Sequence, residues 1–259
     1  MQILLKIKIL VWYITKPLYY KQFFFLIKKK FFNLFFKKIT SKSKDDLLYK
    51  TTTTEINLIN DIFKSNNKSL INLRDQYSEI YKFAEKQSSL CPISMGGSSN
   101  IDLLFNLVIN HKPKIIVETG VAYGWSSLAF LLGLKSNNYG KLFSIDMPYP
   151  TLNNEKYVGC VIPENLKKNW ELFRLPDLNG IPLVINKVTK VDICHYDSDK
   201  SYLGRKWAYP ILWNSLNKNG IFISDDISDN NAFLEFVVQI NKKPSIIKYK
   251  NQYLGLIIK

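Results

Sequence analysis

Histidine and cysteine, which build most zinc sites and most nucleophile–base pairs, are scarce in this chain. His111 and His195 are the two histidines, and the three cysteines stand far apart at Cys91, Cys160 and Cys194. With no CxxC pair and no His cluster, the ligand spacing of a zinc site is missing. A Ser-His-Asp hydrolase has equally little material. Unpaired, widely spaced cysteines point to a reducing, cytosolic compartment. Long uncharged apolar runs are lacking too. MQILLKIKILVWYITKPLYYKQFFFLIKKKFFNLFFKK mixes aliphatics and aromatics with lysine every few residues, so no run approaches the roughly 18 to 20 residues that span a bilayer. The apolar stretch ILVWYIT is short and no small-residue cleavage site follows it, which argues against a secretory signal.

Acidic residues are absent from 1–44, where eleven lysines stand; of the formal net charge of +15, only +4 belongs to the other 215 residues. The basicity is therefore local. Lysine supplies 33 of the 36 basic residues, with Arg74, Arg174 and Arg205 as the exceptions, so lysine richness carries less meaning than usual. Lysines interleaved with Trp12, Phe23, Phe24, Phe25, Phe31, Phe32, Phe35 and Phe36 suit an anionic membrane surface. The competing reading packs these helices on the rest of the chain or on another subunit. A nucleic-acid-binding role for the basic arm is a further alternative, against which stand the near-neutral body and the lack of an RRM, KH or zinc pattern.

Residues 39–56, rich in Ser and Thr, read as a linker, which divides the chain into a basic aromatic segment (1–44), a linker and helical lead-in (45–100) and a catalytic domain (101–259). Apolar positions at helical spacing over 57–88 predict one or two helices, and Asn100 is placed to cap the helix IDLLFNLVINH. Strands and helices then alternate. IIVE (115–118), KLFSID (141–146), WELF (170–173), VDICHY (191–196) and GIFIS (220–224) read as strands, and SIIKYK and YLGLIIK close the chain. Pro210 is expected to kink or break the helix SYLGRKWAYPILWNSLN. Such alternation implies an α/β, doubly wound Rossmann-like sheet, which binds ligands at the carboxyl ends of its strands.

Those ends are acidic. Glu118 and Asp146 each close a predicted strand, Asp197 and the pair Asp225–Asp226 each follow one, and acids gathered in one crevice repel one another unless a cation is present. In ETGVAYGWSS, Gly120 permits a tight turn and Gly124 a close backbone approach. Ser126 and the free N–H groups of the next helix are placed for a carboxylate. Asp146 is placed to accept hydrogen bonds from ribose hydroxyls. The spacing is not GxGxxG, so a ligand with one ribose and a carboxylate fits better than a dinucleotide.

Taken in order over residues 95–259, ETGVAYGWSS, KLFSIDMP, VDICHYDSDKSY and NGIFISDDI resemble the class I S-adenosylmethionine-dependent methyltransferases. The likeness is to the branch with sugar and macrocin-type O-methyltransferases and cephalosporin hydroxylase-like proteins, and GCVIPENLKKNWELF and DDISDNNAF resemble that branch too. The resemblance implies a seven-stranded sheet with its last strand antiparallel. It implies that Glu118, Gly120, Gly124 and Ser126 hold the methionine part of the cofactor and Asp146 its ribose, with Leu175, Pro176 and Asp177 beside the adenine. By likeness to metal-dependent relatives, Asp197, Asp225 and Asp226 would ligate Mg²⁺ or another divalent cation, and Lys200 would be the general base. The implied reaction is O-methylation of a hydroxyl on a glycan or small molecule, at a cytoplasmic site or one peripheral to the membrane. An RNA-directed methyltransferase and an inactive membrane-attached scaffold of the same fold are the alternatives.

Overall fold

The computed structural model describes residues 2–36, 51–64 and 69–259; the expected linker at 39–50 lies outside them. Five parallel strands form the body of the sheet: β1 (Ile115–Thr119), β2 (Lys141–Ile145), β3 (Trp170–Phe173), β4 (Val191–Tyr196) and β5 (Leu216–Ser224). With β6 (Ser245–Tyr249) and β7 (Gln252–Ile258) they make seven strands in the order β3-β2-β1-β4-β5-β7-β6. β7 runs antiparallel to both of its neighbours. The order reverses at β1, between β2 and β4, and a sheet of this kind opens its ligand crevice at that switch point.

Neighbouring residues of each inner strand point to opposite faces, and each face carries its own core. Ile116, Leu142, Ile193 and Ile221 enter one cluster, while Val117, Phe143, Cys194 and Phe222 enter the other. Helices complete both layers. The first cluster takes residues of α3 (Glu55–Phe63), α4 (Leu73–Gln76), α5 (Ser78–Ser89), α6 (Ile101–His111) and α7 (Trp125–Asn137). The second takes residues of α8 (Asp177–Val188), α9 (Tyr202–Ser215) and α10 (Ala232–Gln239). The two N-terminal helices, α1 (Gln2–Ile14) and α2 (Tyr20–Phe35), precede all of these.

Several local expectations need adjusting. The lead-in holds three helices where one or two were expected. It begins earlier than the polar composition suggested, because the Thr54 side chain accepts from Asn57 N–H and caps α3. Thr53 N–H donates to Ile246 O at 2.9 Å, tying the lead-in to the edge of β6. Asn100 caps α6 as expected, accepting from Leu103 N–H. α9 runs through Pro210 without a break. Tyr209 and Leu212, on either side of it, are fully buried, and their packing outweighs the roughly 3 kcal/mol that an interior proline costs. α8 has no counterpart in the sequence reading, since Gly180 and Pro182 disguise it. The glycine has a packing reason: a Cβ there would meet Ile145 Cγ2 at 2.4 Å.

Candidate active site

Backbone hydrogen bonds continue the sheet one residue past its strands and draw the acidic ends together. Gly120 N–H donates to Ile145 O (2.8 Å), Asp146 N–H to Phe173 O (3.0 Å), Asp197 N–H to Thr119 O (2.9 Å) and Asp225 N–H to Tyr196 O (3.1 Å). Above these ends lies a cavity of about 560 Å³, within the range of small-molecule sites. Its floor includes Gly120, Ser126, Asp146, Asp177, Asp197, Lys200, Asp225 and Asp226. Its roof comes from the N-terminal helices: Tyr13 of α1 with Gln22, Phe25, Leu26 and Lys29 of α2. Lys29 pairs with Asp199 at 2.7 Å, Tyr19 OH donates to Arg174 O, and the Phe32 ring stacks on Tyr202. Of the two readings of the segment, packing on the domain is what the structure displays for the inward faces.

Seven of the expected site residues line the cavity, namely Gly120, Ser126, Asp146, Asp197, Lys200, Asp225 and Asp226. Glu118 and Gly124 do not line it. Glu118 is fully buried, and its carboxylate accepts from Ser126 Oγ (2.5 Å), Ser127 Oγ (2.5 Å) and Ser144 Oγ (2.8 Å). It holds the turn and the start of α7 in place from below. Gly124 sits against Gly159, whose Cα a Cβ would approach to 3.0 Å. Asp146 accepts from Val121 N–H at 3.2 Å and is paired with Arg174, whose guanidinium also bonds the Asp146 carbonyl (2.8 Å) and Glu155. Burial pushes the Asp146 carboxyl up, against the pull of Arg174. Arg174 was not among the expected site residues. Asp177 accepts from Ser198 Oγ at 2.6 Å, and burial pushes it up to about 7.

Asp197, Asp225 and Asp226 do not fit a divalent-cation site, because cations of the chain itself already occupy the places between them. Lys200 Nζ is paired with Asp226 and stands 3.3 Å from Asp197 Oδ1. Asp225 accepts from Ser99 Oγ at 2.6 Å and lies 3.6 Å from His195 Nε2. Among the described residues no group of three or more His, Cys, Asp or Glu is arranged to hold a metal ion. Lys200, the expected general base, is held by the same contacts. Burial would lower Lys200, but Asp197 and Asp226 outweigh it and hold the ammonium well above the ordinary lysine value. A lysine so held stays protonated near neutral pH. Burial and the charge of Asp225 push Asp197 up to about 7, and its Oδ1 is buried without a hydrogen-bond partner.

His195 is the second cation. Fully buried, it lies 3.6 Å from Glu118 on one side and 3.6 Å from Asp225 on the other. Burial alone would lower it, yet the two carboxylates raise it to about 10. Its charge thus adds stability that is full below the unfolded value of 6.5 and lost as pH rises through about 10. The melting temperature is expected to fall between about pH 7 and pH 10, and His195→Gln to flatten that fall. Scanning calorimetry across this range checks it; an unchanged slope in the variant would show that His195 does not carry the charge.

A seven-stranded sheet of this order, with a glycine turn after β1 and an acid after β2 in one cavity, is the fold seen in solved methyltransferase structures. Residues 117–227, a span that includes every expected site residue, match a family model described as a methyltransferase domain. The same fold occurs in an O-methyltransferase from Bacillus cereus in complex with S-adenosylhomocysteine (14% identity, TM-score 0.55, covering 82% of this chain and 100% of that one). It occurs also in the O-methyltransferase TomG from Streptomyces achromogenes, involved in tomaymycin synthesis and bound to S-adenosylmethionine (10% identity, TM-score 0.55, covering 83% and 100%). A third instance is the S-adenosylhomocysteine-bound methyltransferase PaMTH1 from Podospora anserina (13% identity, TM-score 0.54, covering 74% and 100%). No curated protein matches the chain by sequence.

Proposed function

We propose that the chain transfers the methyl group of S-adenosylmethionine to a hydroxyl of a small molecule or glycan. The observation that carries this reading is the convergence, in one cavity, of the Gly120 turn, the Asp146 carboxylate and the Asp197–Lys200 pair. S-adenosylmethionine supplies an electrophilic methyl on a cationic sulfonium. Asp146 is placed to accept from the ribose hydroxyls, and the start of α7, with Ser126, faces the carboxylate end.

For the acceptor, Asp197 takes the hydroxyl proton as the O–C bond forms and the methyl's bond to sulfur breaks, leaving S-adenosylhomocysteine, since a carboxylate near 7 is matched to this transfer at neutral pH. Lys200 stays charged and stabilises the negative charge that develops on the acceptor oxygen. The rest of catalysis is alignment between floor and roof.

Calorimetry with S-adenosylmethionine and S-adenosylhomocysteine tests the cofactor half directly. Asp146→Ala is expected to weaken binding by about tenfold or more, because each lost hydrogen bond to a charged group costs roughly 1.5 to 3 kcal/mol. A wild-type protein that binds neither compound would end the methyltransferase reading.

A further inference from the structure

The helices that roof the cavity have a second face. On α2, the inward positions Gln22, Phe25, Leu26, Lys29 and Phe32 recur at helical spacing. At 3.6 residues per turn, Phe24, Ile27, Phe31, Leu34 and Phe35 fall on the opposite side, within about a third of the circumference. These five are exposed, from 39% at Ile27 to 78% at Phe35. On α1, Ile3, Ile7, Leu10 and Ile14 form a second exposed stripe at the same spacing. Exposed lysines border the α2 stripe on both sides, Lys21 and Lys28 on one and Lys30 on the other. Seven lysines and no acid stand in residues 2–36, and no helix among the described residues is long and apolar enough to cross a membrane.

We propose that the outer face of α1 and α2 docks on an anionic lipid bilayer. Charge decides the occupant. With Lys29 paired inward to Asp199, a second copy would still bring up to six cations against six with no acid on either side to offset them, whereas anionic headgroups attract each such lysine by about 1 kcal/mol near the surface. The apolar stripe then enters the headgroup boundary while the flanking lysines extend their ammonium groups to the phosphates. The inward face keeps its place over the cavity, so docking and roofing use different residues of one helix.

Deleting the segment would remove both faces together, so point changes on the outer stripe make the better test. The full chain is mixed with vesicles of phosphatidylcholine alone or with a third phosphatidylglycerol, and the bound fraction is read by sedimentation at low and high salt. Binding is expected only to the anionic vesicles and is expected to weaken with salt. Phe24→Ser/Phe31→Ser/Phe35→Ser, and separately Lys21→Gln/Lys28→Gln/Lys30→Gln, should each lower the partition by about tenfold or more. S-adenosylhomocysteine affinity and the circular dichroism spectrum should stay those of the wild type. Equal partition of wild type and both variants, or no binding to anionic vesicles, overturns the proposal. So does a stable wild-type dimer in solution that the Phe→Ser changes dissociate, since the stripe would then belong to a second copy. Vesicle binding does not depend on the cofactor, so failure of either proposal leaves the other standing.

Discussion

Asp197→Asn is expected to lower turnover by about 10² to 10⁴, the usual contribution of a general base, while S-adenosylhomocysteine binds within a few-fold of wild type. The amide keeps the size of the carboxylate but cannot take a proton. In the wild type, turnover should rise with pH through about 7, as Asp197 loses its proton. Lys200→Met should also depress turnover but keep the rise, moved to higher pH because the ammonium no longer holds Asp197 down, since the lysine stabilises charge rather than accepting the proton. Initial rates of S-adenosylhomocysteine release, measured from about pH 5.5 to 8.5 over a panel of hydroxyl acceptors, make the comparison. A rate profile that loses its rise only in the Lys200 variant would return the base assignment to the lysine.

The second large effect is structural. Gly120 has φ +84°, and a Cβ there would lie 2.5 Å from the Asp197 carbonyl oxygen and 2.8 Å from its carbon. Gly120→Val therefore combines a left-handed backbone that a β-branched residue resists with a clash between the ends of β1 and β4. A loss on the order of 3 kcal/mol or more is expected. For a domain of this size that lowers the melting temperature by roughly 6 to 12 °C, and cofactor binding falls with it. Gly97→Ala is the control, since a Cβ there meets nothing within 4 Å and its φ is not in the left-handed region. Similar melting temperatures for wild type and Gly120→Val would mean that the two strand ends separate easily.

What the sequence could disclose followed from local pattern. Strands buried on both faces read as β-branched runs, and an acid closing each run is visible without coordinates, so Asp146, Asp197, Asp225 and Asp226 could be placed in one crevice. Their partners could not. Lys200 was legible as a neighbour of Asp197, but its contact with Asp226 spans 26 residues and turns an expected base into a fixed cation. His195 sits inside VDICHY, where alternation gives its face but not the carboxylates on either side. Arg174 carries no local signal, because its guanidinium acts on Asp146, 28 residues back. α8 was hidden for the opposite reason: Gly180 and Pro182 are locally poor helix residues, and only the approach of the helix to Ile145 explains the glycine.

The contacts that seat the roof have a consequence for how the chain assembles. Lys29 reaches Asp199 across 170 residues and Tyr19 reaches Arg174 across 155. Synthesis proceeds from the N-terminus, so α1 and α2 leave the ribosome long before their seat exists. For most of that time their aromatic and aliphatic faces have nothing to cover them, and a transiently exposed surface of this kind favours aggregation. Closing so long a loop also places roof docking after the sheet has formed. In a refolding experiment, burial of Tyr13 at the roof should thus lag behind recovery of sheet circular dichroism, and material caught in that interval should be the fraction most easily lost to precipitation.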